Sequence, residues 1–283
     1  AHGTAPGLIG EVGGCRVVAL PGPPHELCGM LEAHGERVVR SLSAGEPMGT
    51  VMTCFGIPES RLEDALRDIS TELAAGEPGA AEVEWHTRAE YLRTILHLVG
   101  SDEAIRRSII AQLRNSFGKE RLADGETSLA ETVVAELVAT GSVISAAESC
   151  TGGMLGAALT AVAGSSEVFW GSLVTYANAA KTTVLGLDES TLELRGAVSE
   201  ETVVEMARSV RLVSGTDLSV AISGIAGPAG GTDEKPVGTV WIALDSSHGG
   251  SARRFHFSGD RERVRRGALT EALLMVRTWA NLA

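Results

Sequence analysis

Apolar positions switch between a helical and an extended period along the chain, and the switches predict an order of elements. Cys15 to Leu20 is a short apolar run and reads as a buried strand. Pro21-Gly22-Pro23-Pro24 follows as a rigid turn, and Glu26 to Val39 reads as a helix with Leu27, Met30 and Leu31 inward. One strand and one helix cannot bury a core of their own, so residues 1–49 read as an incomplete α/β domain. Residues 50–118 read as strand, helix, two strands, helix. Leu62, Leu66, Ile69 and Leu73 form one apolar stripe, and Ala81–His86 and Tyr91–Val99 look like a hairpin pair. Asp102 is placed to cap a helix carrying Ile105, Ile109, Ile110 and Leu113. The polar stretch Lys119–Thr127, with Asp124-Gly125, reads as a linker.

From Ser128 onward strands and helices alternate, which predicts a layered α/β domain over 122–283. Leu129, Val133, Val134, Leu137 and Val138 make a helical face that ends at Gly141. Val143–Ala147, Val168–Tyr176, Leu218–Ile222, Val237–Leu244 and Ala252–Phe257 read as strands. Gly156–Val162 reads as a close-packed helix. Ser199 caps another, with Glu200 and Glu201 suited to its dipole. Arg261–Trp279 closes the chain, with Val264, Ala268, Ala272 and Val276 on one face.

Composition narrows the function. The apolar fraction is 44%, enough for a real core, and glycine is high at 34 of 283, much of it in loops between the later strands. A net charge of −12 argues against a broad nucleic-acid footprint. No apolar run approaches the ~20 residues of a membrane span, and no signal peptide is visible. Cys15, Cys28, Cys54 and Cys150 include no C-x-x-C pair, which reads as reduced thiols in the cytoplasm with no metal knuckle. His25-Glu26 opens like a zinc-protease helix, but Gly29 stands where the second His belongs. The chain starts at Ala1 in loop-like sequence and is read as a fragment.

The chemistry centres on Ala147-Glu148-Ser149-Cys150-Thr151-Gly152-Gly153, a tight turn between a strand and a helix. Helix N-termini offer unpaired N–H groups and a positive dipole end, and the two glycines permit close approach. Ser149 is then a nucleophile beside an oxyanion site. The same geometry also suits a phosphate cradle, or Ser149 or Thr151 as an ordinary N-cap. The glycine-rich loop 224–231 is not a P-loop, because no G-K-[ST] closes it. Arg261, Arg263, Arg265 and Arg266 crowd the start of a helix, where cations are disfavoured. They invite either an anion such as a substrate phosphate or neighbouring carboxylates such as Asp260 and Glu262.

The stretches AESCTGG at 147–153, VTYANAAK at 174–181, GAVSEE at 196–201, SGIAGPAGGTDEKPVGTVW at 223–241 and FSGDRERVRR at 257–266 resemble the C-terminal domain of the CinA (competence/damage-inducible) family. That domain's stand-alone members are the PncC nicotinamide mononucleotide amidases. Gly3–Gly7 and Leu20–Pro24 resemble the tail of the family's molybdopterin-binding-like domain, and 50–118 its KH-type linking module. The front of that first domain, with its acidic metal-binding segment, is unmatched. A pyrophosphatase acting on ADP-ribose-type nucleotides therefore stands only as a remnant reading. The resemblance implies an α/β/α amidase domain that converts nicotinamide mononucleotide to nicotinate mononucleotide and ammonia without metal or cofactor.

It also implies Ser149 as nucleophile with Lys181 and Tyr176 as partners. Serine needs a base, and no His lies near it in sequence; His248 is the nearest downstream, and His256 reads as structural. A lysine base must be neutral, so burial must lower its pKa from ~10.4. Lys181 sits in a small, apolar run that favours a desolvated amine, although taken alone it reads as a surface lysine and Tyr176 as a core aromatic with a satisfied hydroxyl. Lys181 is expected to take the Ser149 proton directly or through the Tyr176 hydroxyl, with N–H groups of Thr151 to Gly153 holding the oxyanion. Cys150 is the rival nucleophile, or else a small buried thiol. Expected substrate contacts are Thr151, Gly152, Gly153, Asn178, Gly224, Gly227, Arg261 and Arg265. Expected partners are a small-molecule nucleotide and further copies of the chain, with no membrane; nucleic acid is disfavoured, residues 50–118 reading as a spacer with RNA binding as the second choice. The competing reading is a non-catalytic nucleotide-binding or regulatory module.

Overall fold

A computed structural model describes residues 7–13, 15–20, 22, 26–31, 33–35, 49–76, 83–90, 93–100 and 102–282. The expected features at 3–6, in most of the Pro21–Pro24 turn, at His25, in the helix beyond residue 35, and at 81–82 and Tyr91 lie outside these residues. The chain divides into two compact units, residues 1–49 and 50–283.

The first unit contains a two-stranded antiparallel hairpin, β1 (Leu8–Val12) and β2 (Cys15–Ala19), and helical residues at 26–31 and 33–35. Leu8, Ile9, Val12 and Val17 are exposed, so the expected buried strand is instead half of a surface hairpin. Among the described residues β1 and β2 pair only with each other, and a two-stranded ribbon leaves much of its surface open. Leu31, expected to point inward, is also exposed.

The second unit holds two sheets. The first has the order β4-β5-β3-β6 and is built from β3 (Gly49–Phe55), β4 (Glu84–Glu90), β5 (Arg93–Val99) and β6 (Leu122–Asp124). Helices α1 (Glu59–Gly76) and α2 (Glu103–Phe117) cover it. Asp102 caps α2 through the amides of Ala104 and Ile105. The stretch read as a linker thus carries an edge strand, with Cys54 opposite Leu122.

The second sheet has the order β11-β10-β9-β7-β8. Its strands are β7 (Ile144–Glu148), β8 (Phe169–Val174), β9 (Leu218–Gly224), β10 (Thr239–Ser246) and β11 (Gly249–His256). β7 is parallel to both neighbours; β10 is antiparallel to both of its own. Six helices accompany these strands: α3 (Leu129–Thr140), α4 (Met154–Thr160), α5 (Asn178–Leu185), α6 (Glu189–Arg195), α7 (Glu200–Ser214) and α8 (Arg261–Ala280). Period-two alternation sends Ala146, Ile222 and Ile242 toward α3, α4 and α8. It sends Ala147, Ala221 and Ala243 toward Val203, Met206 and Val210 of α7. The result is the expected three-layer α/β/α arrangement. A capping box, Ser128 with Glu131, starts α3. Val138, expected inward, is exposed, because Leu137 occupies the core-facing position beside it.

The two sheets share a core. Phe55 and Ala123 belong to the same apolar cluster as α3 and α8. Arg277 of α8 donates to the carbonyls of Glu120 and Leu122 and pairs with Glu136 of α3 at 2.8 Å. Arg121 pairs with Glu271 at 2.9 Å.

Candidate active site

The chain leaves β7 for β8 on one side and later returns to β9 on the other, so the edge beyond β7 and β9 is a topological switch point. Open α/β sheets bind ligands at such crevices. Ser149 is the first residue past β7, and its amide donates to Ile222 O at 2.9 Å. Gly152 and Gly153 take φ of 61° and 94°, which lets the chain reverse into α4. At the end of β9, a Cβ on Gly224 would lie 2.9 Å from Thr239 O, so only glycine fits against β10 there.

Glu148, fully buried, governs the turn. Its carboxylate accepts from the amides of Gly153 (3.0 Å), Leu155 (3.1 Å) and Gly156 (2.9 Å) and from Ser172 Oγ (2.8 Å). A buried carboxylate is tolerable when charge-assisted donors and a helix N-terminus surround it. The Gly152 amide donates to Ser149 O at 3.0 Å. The amides of Gly152 and Gly153 are therefore already committed, which corrects the expectation that both face an oxyanion. The Thr151 amide has no acceptor among the described residues.

Lys181 lies one turn into α5, 1% exposed. Its Nζ is 3.1 Å from Ser149 Oγ, 2.9 Å from Thr175 O and 3.3 Å from Tyr176 O. No carboxylate pairs with it among the described residues. Burial holds its pKa below the usual lysine value, opposed only by the nearby Cys150 sulfur. That opposition is weak at neutral pH, because burial pushes the Cys150 thiol up to about 11 and leaves it uncharged. Cys150 packs in the core as a small buried thiol.

Tyr176 departs from expectation. It is 58% exposed, and its hydroxyl accepts from Arg261 Nη2 at 2.9 Å. Its contact with Lys181 is through the main-chain carbonyl, so the direct proton route is the one the geometry contains. Arg261 also donates to Gly227 O at 2.9 Å, tying the glycine loop to Tyr176. Arg265 donates to Cys150 O (3.1 Å) and Thr151 O (2.8 Å) and pairs with Glu262, as does Arg266. The carboxylate reading thus holds for Arg265 and Arg266. Arg261 contacts only neutral groups among the described residues. Asn178 is exposed at the first position of α5.

The histidines stay apart from Ser149. His248 lies in the turn after β10, at the opposite edge of the sheet, and lines a cavity of about 450 Å³ with Met275 and Trp279. His256 is exposed at the end of β11.

Residues 126–280 match the family model of the CinA C-terminal domain. A CinA-like protein of Anaeromyxobacter dehalogenans is 39% identical over 278 residues, covering 97% of this chain and 67% of the relative. The chain belongs to the CinA family. A CinA-like protein of Thermotoga maritima is 38% identical over 98% of this chain and 66% of its own length, so the chain spans about two thirds of such relatives. A crystal structure of a competence-damaged protein (CinA) superfamily member from Klebsiella pneumoniae, 38% identical, covers 55% of this chain and 97% of its own with a TM-score of 0.53. The CinA stretches converge in space. AESCTGG leaves β7, VTYANAAK joins β8 to α5, SGIAGPAGG leaves β9, and FSGDRERVRR opens α8. The Glu148 cap was missed in sequence because the residue precedes α4 by several positions and does not occupy its N-cap, which is Gly153. Its signal was an acid closing an otherwise small, apolar strand.

Proposed function

We propose that the chain is a nicotinamide-nucleotide amidase that hydrolyses nicotinamide mononucleotide to nicotinate mononucleotide and ammonia. The observation that carries the reading is the buried, carboxylate-free Lys181 Nζ at 3.1 Å from Ser149 Oγ. A neutral amine has two N–H donors and one lone pair. The carbonyls of Thr175 and Tyr176 take the donors and turn the lone pair toward the serine hydroxyl. Lys181 then accepts the Ser149 proton as Oγ attacks the carboxamide carbon. The Thr151 amide, which has no acceptor among the described residues, is free to meet the oxyanion. Lys181 returns the proton to the departing nitrogen, and ammonia leaves an acyl ester on Ser149. Arg261, with no carboxylate of its own, suits the substrate phosphate.

The test is ammonia release from nicotinamide mononucleotide. Ser149→Ala should lower the rate at least ~100-fold, as loss of an attacking group does, while Cys150→Ala keeps most of it. The reverse pattern would move the nucleophile to Cys150. A chain that binds the nucleotide without turnover would be a non-catalytic module.

A further inference from the structure

Three fully buried side-chain hydroxyls, those of Thr151, Thr175 and Thr239, have no protein partner among the described residues. Thr151 lies in the turn after Ser149, while two main-chain bonds set Thr175 level with Ser149 itself. Thr175 N–H donates to Glu148 O at 2.8 Å, and Ser149 N–H donates to Ile222 O at 2.9 Å. These bonds extend the parallel ladder one rung past the strand ends, setting Thr175 opposite Ser149 and Ser149 opposite Ser223. Side chains on one rung share a face of the sheet. Three hydroxyls therefore stand in a row with Ser149 in the middle.

The outer two differ. Ser223 Oγ donates to Ala197 O at 2.6 Å and is satisfied. Thr175 Oγ1 is not, although valine would fill the same space without a polar atom to bury. An unpaired buried hydroxyl calls for an explanation, and Thr175 already holds the base, since its carbonyl accepts from Lys181 Nζ.

We propose that Thr175 Oγ1 holds the water that hydrolyses the acyl-enzyme. The inference rests on the amidase reading. Once ammonia has left, Lys181 is neutral again, with its lone pair free of the esterified Ser149. The water gives one O–H to that lone pair and the other to Thr175 Oγ1, which leaves an oxygen lone pair for the acyl carbon. The new C–O bond forms as the water proton passes to Nζ. The bond to Ser149 Oγ then breaks, and Oγ recovers the proton from Nζ. Acid and free serine are the products, with no other reactant consumed.

The experiment is rapid-quench ammonia release with intact-mass analysis on the parent, Thr175→Val and Thr175→Ser. Valine is close to isosteric and removes only an unsatisfied group, so the variant should fold with an unchanged Tm. Thr175→Val should release its first equivalent of ammonia at the parent's rate, then turn over about 100-fold more slowly, the scale of a misplaced reactant, with acyl adduct accumulating on Ser149. Thr175→Ser should restore turnover. Parent-like turnover in the valine variant, or equal slowing of first and later turnovers without adduct, would overturn the role of Thr175. A parent that releases no ammonia would instead overturn the amidase reading beneath it.

Discussion

Lys181 is a primary amine at 1% exposure with carbonyls and a hydroxyl around it and no negative charge. Such a setting disfavours the ammonium form, so the folded chain resists a proton that the unfolded chain accepts up to about pH 10.4. The destabilisation is complete below the lowered folded pKa. It fades as pH rises through that value toward the unfolded one. The stability of the parent relative to Lys181→Met should therefore rise with pH and level off above about 10.4. Urea unfolding of both proteins across that range measures it, and a flat difference would mean the amine is not desolvated. The small, apolar run beside Lys181 favoured a desolvated amine, but taken alone the position reads as a surface lysine, and only the resemblance reversed that reading. The Lys181 contact with Ser149, across 32 residues, was legible only through resemblance, since no local period reports where a strand end and a helix turn meet. The exposure of Tyr176 and its bond to Arg261, 85 residues away, were hidden for the same reason.

At the scale of elements, β7 and α8 stand where apolar runs and periods predicted them, because tertiary burial and local pattern agree there. β1 was not legible: Leu8-Ile9-Gly10-Glu11-Val12 neither alternates nor forms a continuous apolar run, and all five residues are exposed. β6 was hidden because three residues are too few to show a period. The turn between β7 and α4 depends on an interaction the pattern cannot show, the four donors on Glu148. Glu148→Gln keeps the shape but replaces a charge-assisted acceptor with an amide whose NH₂ must face a donor. It should cost about 1.5–3 kcal/mol of stability and lower kcat by loosening Ser149. Denaturant midpoints with steady-state rates check it; an unchanged midpoint would mean the turn holds itself.

At the scale of the molecule, the described structure separates residues 1–49 from 50–283 and gives the two sheets of the second unit a common core. Cutting between those sheets would strip Phe55 from α3 and α8 and leave Arg277 without the Glu120 carbonyl. Limited proteolysis should therefore trim the exposed hairpin region first and leave a fragment from about residue 50 that keeps its activity. A fragment started at Leu122 should melt at a lower temperature than one started at Thr50, by the several degrees that a loss of about 1–2 kcal/mol brings. Equal melting temperatures would mean the shared core contributes nothing. Among the described residues no helix is long and apolar enough to cross a membrane.

The central claim, that Lys181 is the base for Ser149, is tested most directly by kcat/KM for nicotinamide mononucleotide against pH, in the parent and in Lys181→Arg. The parent rate should rise with pH through a pKa below that of free lysine, as the neutral amine forms. Lys181→Arg keeps the charge but cannot give up its proton, so it should lose nearly all activity at every pH. An active arginine variant with the parent's pH profile would contradict the Ser–Lys account.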